Sequence, residues 1–468
     1  MTEEQRHTLK KALASLEKSE LISLLLSQAE RLEKLEQEVE RLRSDLTTAL
    51  RANKRQAAPF GKARKEDKPR RGGRKKGHKG SYRQPSAEPD EEEEACLDCC
   101  PQCGGPVQEV NPVEQIIEEL PPIQPRVVRL RTYHGQCPSC GPVHSRHPLQ
   151  VGHATGSAKV QLGPGAISKV LKLRHRYGLS TRKSCELLEG CFGLPLSPGA
   201  VCQLEQRMAE KLLPDYEQLQ QQARQADRLH SDETSWYVGQ PGWWLWVLTN
   251  DEMTLYEVSQ RRSKEVLENM LGENFNGTLV SDCLSIYENF CEVQQKCYAH
   301  HLKAIGDALK AYPDSSFLKL MRKLLQKAIG YGACRDYFEP PDFQRLCSHL
   351  EQRTDQLLPT LQDENGNYQL DENKCPFHLQ ETELKVARRI AKRRQHLFTF
   401  LYHEHVPATN NLAERQLRPA VIQRKISCGN KTPKGAKAWK IIRSLEATSL
   451  QNGQDFSDSV FQAIQRNL

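Results

Sequence analysis

The sequence predicts a multidomain α+β protein. Three observations predict it: a heptad seam in the first fifty residues, two Cys-x-x-Cys knuckles within 96–150, and strand-like periodicity from Arg228 that yields to a long charged helical stretch. A chain of 468 residues is also too long for one compact core. Three or four units are expected at ~100–200 residues per domain.

Residues 1–50 read as an oligomerisation helix. Leu25, Leu32, Leu35, Val39, Leu42, Leu46 and Ala49 fall on a and d positions with Glu, Lys and Arg between them, the pattern of a coiled coil. The seam is only about three to four heptads long, so a helix packed on its own protein is the alternative. Residues 51–95 read as a linker, basic and then acidic. Fourteen Lys/Arg between Arg51 and Arg83, including Arg70, Arg71, Arg74, Lys75 and Lys76, meet only Glu66 and Asp67, and then Glu91 to Glu94 reverse the sign. A solvated tail and an arm that tracks a DNA backbone fit this run equally well.

Residues 96–150 read as a zinc ribbon. Cys100-Pro-Gln-Cys103-Gly and Cys137-Pro-Ser-Cys140-Gly each aim two thiolates at one point, and two knuckles complete a tetrahedral Zn²⁺ site of structural type. Cys96 and Cys99 form a further pair that competes as ligands. Val113 to Leu120 and Arg126 to Tyr133 read as strands between the knuckles. The ten cysteines from Cys185 onward lack ligand spacing and read as buried small apolar residues.

Residues 151–226 read as helices, over Pro164 to Tyr177, over Ser180 to Leu188, and from Ser197 as N-cap with Pro198 at the first helical position. This could be a helix-turn-helix DNA-binding segment or a helical layer packed on the core, the second slightly favoured. Within 227–301, Leu229 to Asp232, Trp243 to Leu248, Thr254 to Ser259, Gly277 to Asp282 and Gln295 to Tyr298 read as strands, two of them ending in an acid. Residues 302–405 read as a helical insertion in which no sheet resumes. Residues 406–468 return to the core with a helix capped by Asn410 or Asn411 and carrying Glu414, followed by Arg415, Arg418, Arg424 and Lys425.

Asp232, Asp282 and Glu414 stand in three unlike settings. Brought together they form a hard-oxygen cage for two Mg²⁺ ions about 3.5–4 Å apart, with Mn²⁺ as the alternative ion. Such a pair activates water or a 3′-hydroxyl against a phosphodiester. Glu233 follows Asp232 directly, points to the other face of a strand, and is expected to position that strand by a hydrogen bond. Asp227, Asp251 and Asp307 lack matching context.

At these residues the sequence resembles the insertion-sequence-66 family of bacterial transposases. The resemblance is carried by His230-Ser-Asp232-Glu-Thr, Gly277-x-x-x-x-Asp282 followed by Tyr287, Cys297-Tyr-Ala-His300, Asn410-Asn-x-x-Glu414-Arg-x-x-Arg418 and Arg424-Lys425. It implies a ribonuclease-H-like α/β catalytic core with a DDE triad at Asp232, Asp282 and Glu414, and a helical insertion before the Glu. It also implies accessory proteins of the same element. His300 is expected as a phosphate or active-site contact, with a core histidine as the alternative. Cys283 stands where the family commonly has glycine, and His301-Leu-Lys303 departs from its usual basic continuation.

The expected function is therefore a Mg²⁺-dependent DNA transposase that cuts transposon ends and joins their 3′-hydroxyls to target DNA. Arg415, Arg418, Arg424 and Lys425 would hold phosphates, and at least a homodimer would bring two ends together. A metal-dependent nuclease without strand transfer and a catalytically silent DNA-binding protein are the alternatives. No apolar run reaches the roughly 18–20 residues of a membrane helix, so a cytoplasmic, nucleoid-associated protein is expected.

Overall fold

A computed structural model describes residues 90–120, 123–152, 160–364 and 366–466, with single helical positions at Arg31, Glu33 and Gln37. The heptad seam and the basic run that includes Arg70, Arg71, Arg74, Lys75 and Lys76 therefore lie outside the described residues. No helix among the described residues is long and apolar enough to cross a membrane.

The chain divides into two compact units, Met1–Glu118 and Glu119–Leu468. The first carries the Cys100 knuckle, a tight turn closed by Gly104 N–H donating to the Cys100 carbonyl at 2.8 Å. Gly104 has a φ of 71°, which a side chain would strain. The second unit opens with the hairpin β1 (His134–Cys137) and β2 (Gly141–His144), whose turn is the Cys137 knuckle. The strands expected over 113–120 and 126–133 do not form. Their apolar residues are exposed, Val127 at 93%, because no strand among the described residues offers these runs a ladder.

Three helices follow: α1 (Pro164–His175), α2 (Thr181–Phe192) and α3 (Pro198–Gln225). Ser180 and Ser197 cap the last two through side-chain oxygens that accept Lys183 and Ala200 N–H. The apolar faces of all three helices join the core. Ile167, Leu188, Met208 and Leu212 share one buried cluster with Trp246 and Leu248 of the sheet and with Ile441 and Phe456 near the C-terminus.

The sheet has five strands in the order β5-β4-β3-β6-β7. Strands β3 (Arg228–Val238), β4 (Gln240–Thr249) and β5 (Thr254–Ser259) form an antiparallel meander. After α4 (Lys264–Leu271), β6 (Thr278–Ser281) and β7 (Gln294–Lys296) add in parallel. This mixed sheet flanked by helices is compatible with a ribonuclease-H-like core. Strand β3 is longer than expected: Asp232 lies within it, opposite Val247, instead of at its end.

The stretch 302–405 is helical, with α5 (Tyr298–Ala311), α6 (Ser316–Ala333), α7 (Pro340–Leu357), α8 (Glu381–Ala391) and the short α9 (Thr399–Tyr402). It builds its own apolar cluster around Phe317, Met321, Leu325 and Ile390. One expectation fails here. A small hairpin, β8 (Thr360–Gln362) with β9 (Tyr368–Leu370), interrupts the helices. Three-residue strands are too short to leave a visible alternation. The chain ends with α10 (Asn411–Ser427), α11 (Pro433–Gln451) and α12 (Phe456–Arg466).

All sixteen cysteines are free thiols. Of those from Cys185 onward, Cys185, Cys297 and Cys347 are buried as expected, whereas Cys191, Cys202, Cys334 and Cys428 are exposed.

Candidate active site

Strand register places the first two acids. β3 and β6 pair Arg228 with Thr278, Leu229 with Leu279 and His230 with Val280, a constant offset of 278 − 228 = 50. The recorded pairs end at His230 with Val280; Asp282 directly follows β6, close enough for its charge to act on Asp232 in β3. Gly277 permits the close approach: a Cβ there would lie 2.2 Å from the Ala226 carbonyl oxygen. Asp282 turns the chain out of β6, its Oδ1 accepting Leu284 N–H at 2.9 Å. A 3₁₀ turn over Ser285–Tyr287 follows.

Three attachments along β3 place the third acid. At the start of α10, fully buried Asn410 brings Oδ1 to 3.1 Å from His230 Nδ1 and donates Nδ2 to the Ser231 carbonyl at 2.7 Å. Further along, Arg424 donates to Thr234 Oγ1 at 3.3 Å and Ser235 Oγ at 2.8 Å. Beyond the helix, Asn430 exchanges backbone bonds of 2.9 Å with Tyr237 and Gly239 and accepts Trp236 Nε1–H at 2.8 Å. Gly429, at φ 82°, is needed because a Cβ would meet the Tyr237 carbonyl at 2.6 Å. Helix α10 therefore runs beside β3 in the same direction.

The rises then match. Four helical residues from Asn410 to Glu414 advance about 6 Å, and two strand residues from His230 to Asp232 advance about 6.6 Å. Glu414 thus stands one helical turn past Asn410, near enough for its charge to act on Asp232. As an acid in the first turn of α10 it also sits favourably at the helix's positive end.

Electrostatics agree with this placement. Burial, then the charges of Glu233, Asp282 and Glu414, hold the Asp232 carboxyl well above the usual carboxylate range. Among the described residues, Asp232, Asp282 and Glu414 have no ion pair with Lys or Arg. Their oxygens do not all fall within 4.8 Å of one another. A set of oxygen-only donors suits a hard divalent cation.

Glu233 faces the other side of β3. It accepts Arg262 Nε–H and Nη2–H at 3.0 and 2.7 Å and the Tyr287 hydroxyl, while Arg262 stacks 4.2 Å over Trp244. That is the positioning job expected of it. Behind Asp282, the buried Lys296 donates to Ser281 Oγ at 3.1 Å and Gln294 Oε1 at 2.6 Å. Burial pulls its ammonium down to about 8, with Cys283 and Asp282 among the charges holding it up. Neither Lys296 nor the joint made by Asn410 was foreseen from sequence. Of the two candidate caps, Asn410 and Asn411, Asn410 holds the cap position, but its side chain makes no cap bond and ties the helix to β3 instead.

Arg415, Arg418 and Lys425 are exposed on α10, while Arg424 is half-buried and engaged with β3. Each cysteine knuckle, taken by itself, favours thiolate. Gln102 and Cys103 N–H hold Cys100 below the usual thiol range, and Cys140 and Ser139 N–H do so for Cys137.

Residues 159–438, more than half of the chain and including all three acids, match the family described as Transposase IS66 family. The chain belongs to this IS66 transposase family. It is also similar to the uncharacterized protein y4qI of Sinorhizobium fredii (strain NBRC 101917 / NGR234), at 22% identity over 284 residues. That match covers 55% of this chain and 50% of y4qI, so the chain spans about half the length of this curated relative. The family assignment rests on the core that carries β3, β6 and α10; the segments before residue 159 lie outside the match.

Proposed function

We propose that this IS66-family chain is a DNA transposase whose reaction centre is Asp232, Asp282 and Glu414 on a ribonuclease-H-like core. The observation that carries the reading is the convergence of three elements. Asp232 lies in β3, Asp282 follows its neighbour β6, and Glu414 is in the first turn of α10, which Asn410 and Arg424 attach to β3; the charges of Asp282 and Glu414 both act on Asp232.

The three carboxylates would hold two Mg²⁺ ions, which when bound supply activation of water or a 3′-hydroxyl and charge stabilisation at the phosphate. Asp232 must give up the proton that burial and its acidic neighbours favour, so cation binding there competes with protonation and strengthens as pH rises. Asp282 is held by Leu284 N–H, which leaves its second oxygen for the centre. Arg415 and Arg418, exposed near Glu414, and Lys425, exposed about three turns further along α10, would bind backbone phosphates and set the register of the DNA.

The test is incubation of the purified protein in Mg²⁺ with labelled DNA from the ends that flank its gene. Nicks with 3′-hydroxyls, followed by joining to a target, are expected. Nicks that never join would make the protein a nuclease. DNA bound but uncut under every divalent cation would overturn the catalytic reading.

A further inference from the structure

A second group of metal-ligating atoms adjoins this centre and differs from it in chemistry. One ligand atom each from Cys297, His300 and Glu414 lie within 4.8 Å of one another. We propose that these three residues bind a borderline-soft transition ion of the Zn²⁺ class, at a site separate from the cysteine knuckles.

The platform is preassembled. Cys297 is the N-cap of α5 and His300 lies three residues on, a spacing that puts both on one side of the first helical turn. Two bonds fix this turn against the segment leading into α10. Asn410 N–H donates to Cys297 Sγ at 3.1 Å, and Tyr298 N–H donates to the Ala408 carbonyl at 2.9 Å. Glu414 follows one turn after Asn410, so its place relative to the Cys–His pair is set by the joint that sets it relative to Asp232. The buried His300 Nδ1 has no hydrogen-bond partner among the described residues. A buried ring nitrogen left without a partner is costly, and a cation would satisfy it directly or fix the ring through the other nitrogen.

The donor set selects the ion. Sulfur, imidazole and one carboxylate suit Zn²⁺ or Co²⁺, whereas Asp232 and Asp282 offer only oxygen and suit Mg²⁺. At Zn–S of about 2.3 Å and Zn–N or Zn–O of about 2.0–2.2 Å, tetrahedral ligands lie roughly 3.3–3.8 Å apart. The present spacing is thus within reach of a small side-chain closure. Cys297 is buried, His300 half-buried and Glu414 exposed, which leaves the fourth position open to water. Binding releases the thiol proton to solvent. Glu414 would serve both sites, so Zn²⁺ is expected to suppress Mg²⁺-dependent cutting. That consequence rests on the function proposed above; the binding itself does not.

The experiment is a Zn²⁺ titration of the full chain, wild type beside Cys297→Ser and His300→Ala, with Co²⁺ as the spectroscopic probe. Wild type should bind one equivalent more than either variant at matched concentration. His300→Ala should weaken that equivalent by more than about tenfold, the loss that even an outer-shell partner causes. The Co²⁺ spectrum of wild type minus Cys297→Ser should carry a sulfur-to-cobalt charge-transfer band. Equal stoichiometry in the three proteins with a flat difference spectrum would overturn the site. Because Cys297 is buried, His300→Ala decides the matter if Cys297→Ser fails to fold. A protein that binds the extra ion, yet is inactive on DNA in Mg²⁺ when that ion is absent, would refute the proposed function and leave this site standing.

Discussion

Replacing Asn410 with alanine tests the joint on which the site depends. The side chain is fully buried, with Oδ1 3.1 Å from His230 Nδ1 and Nδ2 2.7 Å from the Ser231 carbonyl oxygen. Alanine removes both partners and leaves a buried ring N–H and a buried carbonyl unpaired, at about 1–3 kcal/mol each. The expected loss is therefore about 2–6 kcal/mol. Neighbouring Asn411 is exposed at the first helical position, so Asn411→Ala should fall within about 0.5 kcal/mol of wild type. Urea unfolding followed by tryptophan fluorescence reads the difference, since Trp236, Trp246 and Trp439 are all buried in this region. Asn410→Ala should also lose DNA cutting out of proportion to its folded fraction, because a shift of about 1 Å in Glu414 costs on the order of a hundredfold. If Asn410→Ala unfolds with wild-type stability, or if the two asparagine variants behave alike, the attachment of α10 to β3 through this residue is wrong.

Further outcomes follow from the same geometry. Gly277→Ala should destabilise the core by about 3 kcal/mol or more, since its Cβ would strike backbone oxygen of Ala226 that cannot swing aside; a wild-type urea midpoint would contradict this. Asp232→Asn should raise the melting temperature of the divalent-free protein while abolishing cutting. The folded carboxyl is held high by burial and acidic neighbours, so ionising it destabilises the fold increasingly as pH rises above the ordinary carboxylate range. A lower melting point for the Asn variant at pH 8 would count against that. Acid should weaken the fold between pH 6.5 and about 4, because burial pulls His230 and His396 down to about 4 and His301 to about 3. The unfolded chain then binds the protons more tightly, and stability present above pH 6.5 is lost on acidification. For His230 the interval from 6.5 to about 4 corresponds to about 3 kcal/mol. His301→Gln should lose less stability than wild type between pH 7 and pH 4.5, as urea titration at both values would show.

Much of the core was legible because its signals are local. The strand Thr254–Ser259 and the helix start capped by Ser197 appear at their expected bounds, and the helix expected over Ser180 to Leu188 starts one residue later and runs on to Phe192. The acids were legible from their contexts. What placed them was not, since the fifty-residue register between β3 and β6 is a property of pairing. Asn410 misled because Asn before a helix ordinarily caps it, and only a partner 179 residues away shows its other use. Arg424 was read as a phosphate ligand for a similar reason: charge is visible in sequence, and its engagement with β3 is not. The runs 113–120 and 126–133 have the composition of strands, yet a strand needs a neighbour as well as a propensity.

The central claim is that Asp232, Asp282 and Glu414 are ligands of one divalent-metal centre. Cysteine substitution tests it most directly, because a thiolate binds Mg²⁺ poorly and softer ions well. DNA-end cutting would be measured for Asp232→Cys, Asp282→Cys and Glu414→Cys in Mg²⁺ and in Mn²⁺, beside the corresponding alanine variants. The account predicts no cutting by any variant in Mg²⁺, and recovery in Mn²⁺ by the cysteine variants alone. Undiminished cutting in Mg²⁺ by any one of them would remove that residue from the centre and contradict the account.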